Sequence, residues 1–158
     1  MKLIVSMLVA FIVLSCEKQD PIADLAIPRV VALQRTDTFL LKRLDSAYVS
    51  AVSIDTSDRV FTTAEDEARL WDNWVEFHNQ FASYLTSKKL HLQGSPQTFI
   101  TLYCAASSSV DHAAYAFNVP IDSLVEAQYA ALLEEFTKTH GLGISAPRPF
   151  SQCGTVGY

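Results

Sequence analysis

Hydrophobic residues recur at helical spacing over one long stretch in the middle of the chain. Thr62 stands three residues before Glu65, the spacing of a capping box, and acidic residues follow where the positive end of a helix dipole would lie. Lys88-Lys89 suit the opposite end. The pattern predicts a helix from about residue 62 to residue 89, whose apolar face is formed by Leu70, Trp74, Phe77, Phe81 and either Tyr84 or Leu85. Trp71 falls outside this stripe, whereas the other aromatic residues are expected in the core.

A second helix is predicted after Pro120. Ser123 and Glu126 have capping-box spacing, and Gly141 is a suitable stop signal. Its apolar face comprises Val125, Tyr129, Leu132, Leu133 and Phe136. A shorter helical pattern starts at Phe39, although residues 49 to 54 are equally compatible with a strand.

The periodicity changes between these two helices. Residues 99 to 104 and 110 to 117 are rich in aromatic, β-branched or small apolar residues and predict two strands, and residues 152 to 158 predict a third. In a strand-strand-helix-strand unit the helix returns the chain along the sheet, so the last strand can pair antiparallel beside the first. We therefore expect an α+β domain at residues 36–158, with a three-stranded antiparallel sheet of order 2-1-3 packed on two main helices.

The N-terminus has the organisation of an export signal. Lys2 precedes an uncharged, largely apolar run over residues 3–14, which is too short to cross a bilayer core. Leu14-Ser15-Cys16 follows and resembles the lipobox of bacterial lipoproteins. The resemblance implies cleavage after residue 15 and lipid attachment at Cys16; an ordinary cleaved signal with an incidental cysteine is the alternative. Residues 16–35, with Pro21 and Pro28, are expected to form a lipidated tether.

The charge of the mature chain limits its partners. Loss of Lys2 lowers Lys+Arg from 12 to 11 while Asp+Glu stays at 17, so the net charge becomes about −6. The basic residues form only the pairs Lys42-Arg43 and Lys88-Lys89, which argues against nucleic acid as a partner. We expect the protein to be held at the outer membrane by lipid on Cys16, facing the periplasm with the cell surface as the alternative, and to bind another envelope protein.

The two remaining cysteines suggest a disulfide. Cys104 ends the first predicted strand and Cys153 begins the last, so antiparallel pairing would bring them together. Disulfides persist in exported proteins. A buried, unpaired thiol at Cys153 is the alternative.

The C-terminal part, residues 99–158, is similar in element order to the C-terminal domain of the TonB family. The chain also resembles small lipoproteins of the Bacteroidetes type, whose tails carry a segment comparable to Phe150-Ser151-Gln152-Cys153. The long proline-rich linker and N-terminal membrane helix of TonB proteins are missing, so energy transduction is not implied. The resemblance implies a binding module, which would add a partner's strand to a sheet edge.

Catalytic chemistry has little support in the sequence. A thiol hydrolase would need Cys104 or Cys153 close to His78, His112 or His140, and no spacing indicates such a pair. Metal-ligand spacings such as Cys-x-x-Cys do not occur, so neither a metal nor another cofactor is expected. We predict a non-catalytic protein-binding or assembly module. A hydrolase, or a carbohydrate-binding lipoprotein that uses exposed aromatic rings, is the alternative.

Overall fold

The computed structural model describes residues 27–53 and 58–158. The signal segment, Cys16 and the tether up to residue 26 lie outside these residues. Within the described ranges the chain forms three α-helices and five strands. In chain order they are β1 (Val30–Ala32), α1 (Thr38–Ala47), β2 (Val49–Ser50), α2 (Ala64–Ser87), β3 (Gln97–Cys104), β4 (Val110–Phe117), α3 (Ser123–Thr137) and β5 (Phe150–Gly157), with one 3-10 turn at Leu33–Arg35.

The predicted three strands form the centre of a larger sheet. Their order, β4-β3-β5, and their antiparallel pairing are confirmed. The prediction of a three-stranded sheet was wrong in number, because β1 pairs parallel with β4 and β2 pairs parallel with β5, giving the order β1-β4-β3-β5-β2. Strands of three and two residues are too short to show an alternating pattern, and only their pairing identifies them.

The predicted tether also ends earlier than residue 35. Pro28 and Arg29 already contact the body of the protein, since the carbonyl of Arg29 accepts from the N–H of Ala113 at 2.7 Å. The guanidinium of Arg29 donates to the carbonyls of Val110 and Thr137, which ties the start of β1 to the C-terminus of α3. The folded domain therefore includes residues from about 28 onwards.

Both main helices are confirmed, with each N-cap one residue away from the predicted position. Thr63, not Thr62, caps α2, and its hydroxyl oxygen accepts from the N–H of Asp66. Asp122, not Ser123, caps α3, and its carboxylate accepts from the N–H groups of the next turn. The neighbouring capping candidates are chemically equivalent, so the spacing alone does not select between them.

The helices cover the two faces of the sheet unequally. α2 and α3 pack on one face and enclose the main core, which includes Trp74, Phe81, Tyr129, Ile100 and Leu102. α1 covers part of the other face through a smaller cluster around Leu44 and Tyr103. Because α1 has only ten residues, the opposite face near Phe99, which is 39% exposed, is left partly open to solvent.

Candidate functional site

The histidines considered for a thiol enzyme each interact with groups other than a cysteine. The contacts are His78 Nδ1 with the Tyr158 hydroxyl at 2.7 Å, His112 Nδ1 with the Pro28 carbonyl at 3.0 Å, and His140 stacked on Phe136 at a centroid distance of 4.0 Å. Burial, followed by the Asp111 carboxylate, raises the pKa of Cys104 to about 12. Such a thiol stays protonated near neutral pH, which does not favour a nucleophile.

The strands that carry Cys104 and Cys153 are neighbours in the sheet, as predicted, but the two thiols are not close to each other. In the register of β3 and β5, Cys104 lies opposite Phe150 and Cys153 lies opposite Thr101. An offset of three residues places the two side chains on opposite faces and about 10 Å apart along the strands. A disulfide requires Cα atoms within about 7 Å. The disulfide prediction is therefore contradicted, and both cysteines are free, Cys104 buried and Cys153 exposed.

Among the described residues, β5 has a neighbouring strand on its outer side only over its first two residues. The N–H groups of Val49 and Ala51 donate to the carbonyls of Pro149 and Ser151, which shows that odd-numbered residues of β5 point their backbone groups outwards, away from β3. Beyond Ser151, β5 pairs only with β3 among the strands of the described residues. Within residues 27–53 and 58–158, the outward backbone groups of Cys153, Thr155 and Gly157 therefore have no neighbouring strand, and we call residues 153–157 the free edge of β5.

The helix that runs beside this edge presents an uncharged flank to it. Residues at spacings of four and three along α2 share one side of the helix, adjacent to the core stripe but distinct from it. This α2 flank consists of Ala64, Ala68, Trp71, Val75, Asn79 and Ala82. Trp71 is 61% exposed and Val75 is 40% exposed, whereas Trp74, on the core stripe, is 3% exposed. The expectation that Trp71 lies off the core is confirmed.

A cleft of about 270 Å³ lies between the α2 flank and the C-terminal half of β5. Trp71, Trp74, Val75 and His78 line it from the helix, and residues 155–158 line it from the strand. Gly154 allows α2 to approach closely, since a Cβ at this position would lie 3.0 Å from the ring of Trp74. The close approach places Trp71 beside the free edge of β5.

The cleft also borders a buried polar pair. His78 is 6% exposed, and burial lowers its pKa to about 4. Its Nδ1 is hydrogen-bonded to Tyr158, while its Nε2 is buried with no hydrogen-bond partner among the described residues. A neutral imidazole is therefore held between α2 and the end of β5, where it lines the cleft.

Sequence reasoning singled out Trp71 but not the rest of this site. The alternation of Ala64, Ala68, Trp71 and Val75 at helical spacing was a usable signal, because a second uncharged stripe beside a core stripe indicates another contact surface. The free edge had no comparable signal, since it depends on how far β2 extends along β5.

The part of the chain that the structure describes contains no group of three or more His, Cys, Asp or Glu side chains arranged to hold a metal ion. No helix there has the length and apolar character needed to cross a membrane. Neither a protein-family model, nor a curated protein, nor a solved structure matches the chain.

Proposed function

We propose that this protein is a non-catalytic protein-binding module, anchored by lipid on Cys16 at the outer membrane and facing the periplasm. The observation that carries the proposal is the free edge of β5 beside the exposed ring of Trp71. An unpaired strand edge offers backbone donors and acceptors to an extended partner segment. Tryptophan is among the residue types that contribute most of the binding energy at protein–protein interfaces, and Trp71 is exposed next to this edge.

The start of the described chain and the free edge of β5 lie at different places on the sheet. β1, where the described chain begins, lies at one border of the sheet, and β5 lies three strands away. β1 and β5 both run antiparallel to β3, so residue 27 and Thr155 lie at opposite ends of the sheet as well. The free edge of β5 therefore lies away from residue 27, the first described residue on the side of the chain that would carry the lipid.

Membrane attachment is tested by replacing the lipidated residue. In the native host, Cys16→Ala should move the protein from the membrane fraction to the soluble fraction without changing its unfolding curve. Retention of the variant in membranes after a carbonate wash would contradict anchoring through Cys16.

The binding surface is tested by site-specific crosslinking in the same host. A photoreactive amino acid is placed at Trp71 and, as a matched control on another exposed apolar residue, at Leu124 on α3, which is 74% exposed. We expect one defined protein adduct at position 71 and none of the same mass at position 124. Equal adducts at both positions, or none at position 71, would contradict the proposed surface.

A further inference from the structure

We infer that the segment bound at the free edge of β5 is uncharged and carries one large apolar side chain, preferably aromatic, opposite Val156. This inference rests on the proposed function and specifies the chemistry of its partner. It follows from the limits of the edge, the direction of its side chains and the charge distribution on α2.

The length and register of the segment follow from the edge itself. β2 and the residue after it occupy the edge as far as Ser151, so an added strand can pair only with residues 153 to 157. The Cys153 carbonyl already accepts from the side-chain amide of Gln152. Thr155 and Gly157, the two neighbours of Val156, are therefore the residues whose outward N–H and C=O groups are best placed to bond an added strand. A segment of about five residues spans this distance at roughly 3.4 Å per residue.

Side-chain alternation determines which partner residue meets the cleft. Even-numbered residues of β5 face α2, as shown by the packing of Phe150 and Val156 in the main core. In an added strand, the residue opposite Val156 projects to the same face. Its side chain enters the cleft of about 270 Å³ between Trp71 and Val75. An aromatic ring there would gain contact with Trp71 in addition to burial of apolar area.

The charge distribution excludes an ionised residue at this position. The six residues of the α2 flank are uncharged, and no charged side chain among the described residues lines the cleft. The charged residues of the same stretch lie on the remaining helix surface: Glu65, Asp66, Glu67, Arg69, Asp72 and Glu76. A carboxylate or ammonium group in the cleft would lose hydration without gaining an opposite charge. The flank therefore selects against a charged segment as well as favouring an apolar one.

Two other occupants fit this edge less well. A lipid acyl chain would fill the cleft but leave the N–H groups of Thr155 and Gly157 without an acceptor, which is unfavourable once water is displaced. A second copy paired through β5 would offer the cleft only even-numbered residues of the same strand segment, Gly154 or Val156, and neither has a large side chain.

The test uses blocked pentapeptides and the chain from residue 16 on, labelled with ¹⁵N and carrying Cys16→Ser. The first probe is acetyl-Thr-Thr-Phe-Thr-Thr-amide, whose central position faces Val156 in either strand direction; the matched probe has Asp in place of Phe. Amide shifts and hydrogen exchange are followed at Thr155 and Gly157. We expect the Phe peptide to slow exchange at both amides and to bind about tenfold or more tighter than the Asp peptide.

Variants establish whether this preference comes from the cleft. Trp71→Ser should remove the advantage of the Phe peptide, whereas Leu124→Ser should preserve it. Equal binding of the two peptides with protection at Thr155 and Gly157 would overturn the inference while leaving strand addition intact. Absence of protection with either peptide would count against the proposed function itself.

The competing occupants are distinguished on the same sample. Sedimentation that shows a dimer, with Thr155 and Gly157 protected before any peptide is added, would overturn the inference in favour of a second copy. Sodium palmitate that displaces the Phe peptide and shifts the cleft residues at lower concentration than the peptide would overturn it in favour of an acyl chain.

Discussion

Protonation of His78 should destabilise this protein at mildly acidic pH. The ring of His78 is almost completely buried, with its centroid 4.3 Å from that of Trp74 and its Nδ1 bonded to the hydroxyl of Tyr158. Burial penalises the charged imidazolium and lowers the pKa from 6.5 to about 4. The unfolded chain therefore binds a proton at His78 at a higher pH than the folded chain does.

The sign and size of the effect follow from this difference. Because the folded-state pKa is depressed for a basic group, the contribution of neutral His78 is present above the unfolded pKa of 6.5 and decreases as the pH falls towards 4. At pH 4.5 the unfolded state is almost fully protonated at this position and the folded state is largely not. The free energy of unfolding should then be about 2.5 kcal/mol lower than at pH 7.5 through this group alone.

Urea unfolding of the chain with and without His78→Gln isolates this contribution. Carboxylates also titrate between pH 7.5 and pH 4.5, but they are common to both proteins and cancel in the difference. We expect the original chain to lose about 2.5 kcal/mol more than the variant over this range. Equal pH dependence in the two proteins would refute the assignment of a buried neutral imidazole, whatever the stability of the variant at pH 7.5.

Three further predictions concern the sheet edge, the thiols and the start of the domain. Thr155→Pro should change the free energy of unfolding by less than about 1 kcal/mol, because the N–H of Thr155 points away from β3. Val156→Pro removes a backbone hydrogen bond to β3 and should lower the free energy of unfolding by roughly 3 kcal/mol. Equal losses for the two variants in urea unfolding would contradict the free edge of β5. Cys153 should react with a maleimide in the folded protein and Cys104 only after unfolding, so a Cys104–Cys153 peptide in an unreduced digest would contradict the register. Arg29→Ala should lower the unfolding free energy by about 2 kcal/mol, as two carbonyl acceptors lose a charged donor; an unchanged curve would place the boundary of the domain after β1.

The sequence predicted the long local elements well. The limits of α2 and α3 follow from periodic apolar residues between capping and stop signals, which are local interactions. β4 was predicted with its observed bounds, and β3 was predicted two residues short at its start. These elements are long enough for their pattern to identify them without knowledge of what they pack against.

The candidate site was predictable only in part. The position of Trp71 outside the core stripe followed from helical spacing alone. The register between β3 and β5 could not be read from the sequence, because the prediction began the last strand at Gln152, whereas β5 begins at Phe150. In the observed register Cys104 lies opposite Phe150, three residues away from Cys153, and an odd offset places the two side chains on opposite faces of the sheet.

The sequence by itself determined the α+β class and the apolar faces of the main helices, since these depend on contacts between residues close in the chain or on a single alternation pattern. The order of the central strands followed from the connection through one helix, which returns the chain along the sheet. The tertiary structure decided the edges. β1 and β2 exist only through pairing with β4 and β5, and the free edge of β5 begins where the two residues of β2 end. Backbone hydrogen bonds between distant segments carry no residue-specific pattern, so unpaired strand edges become visible only once every neighbour has been placed.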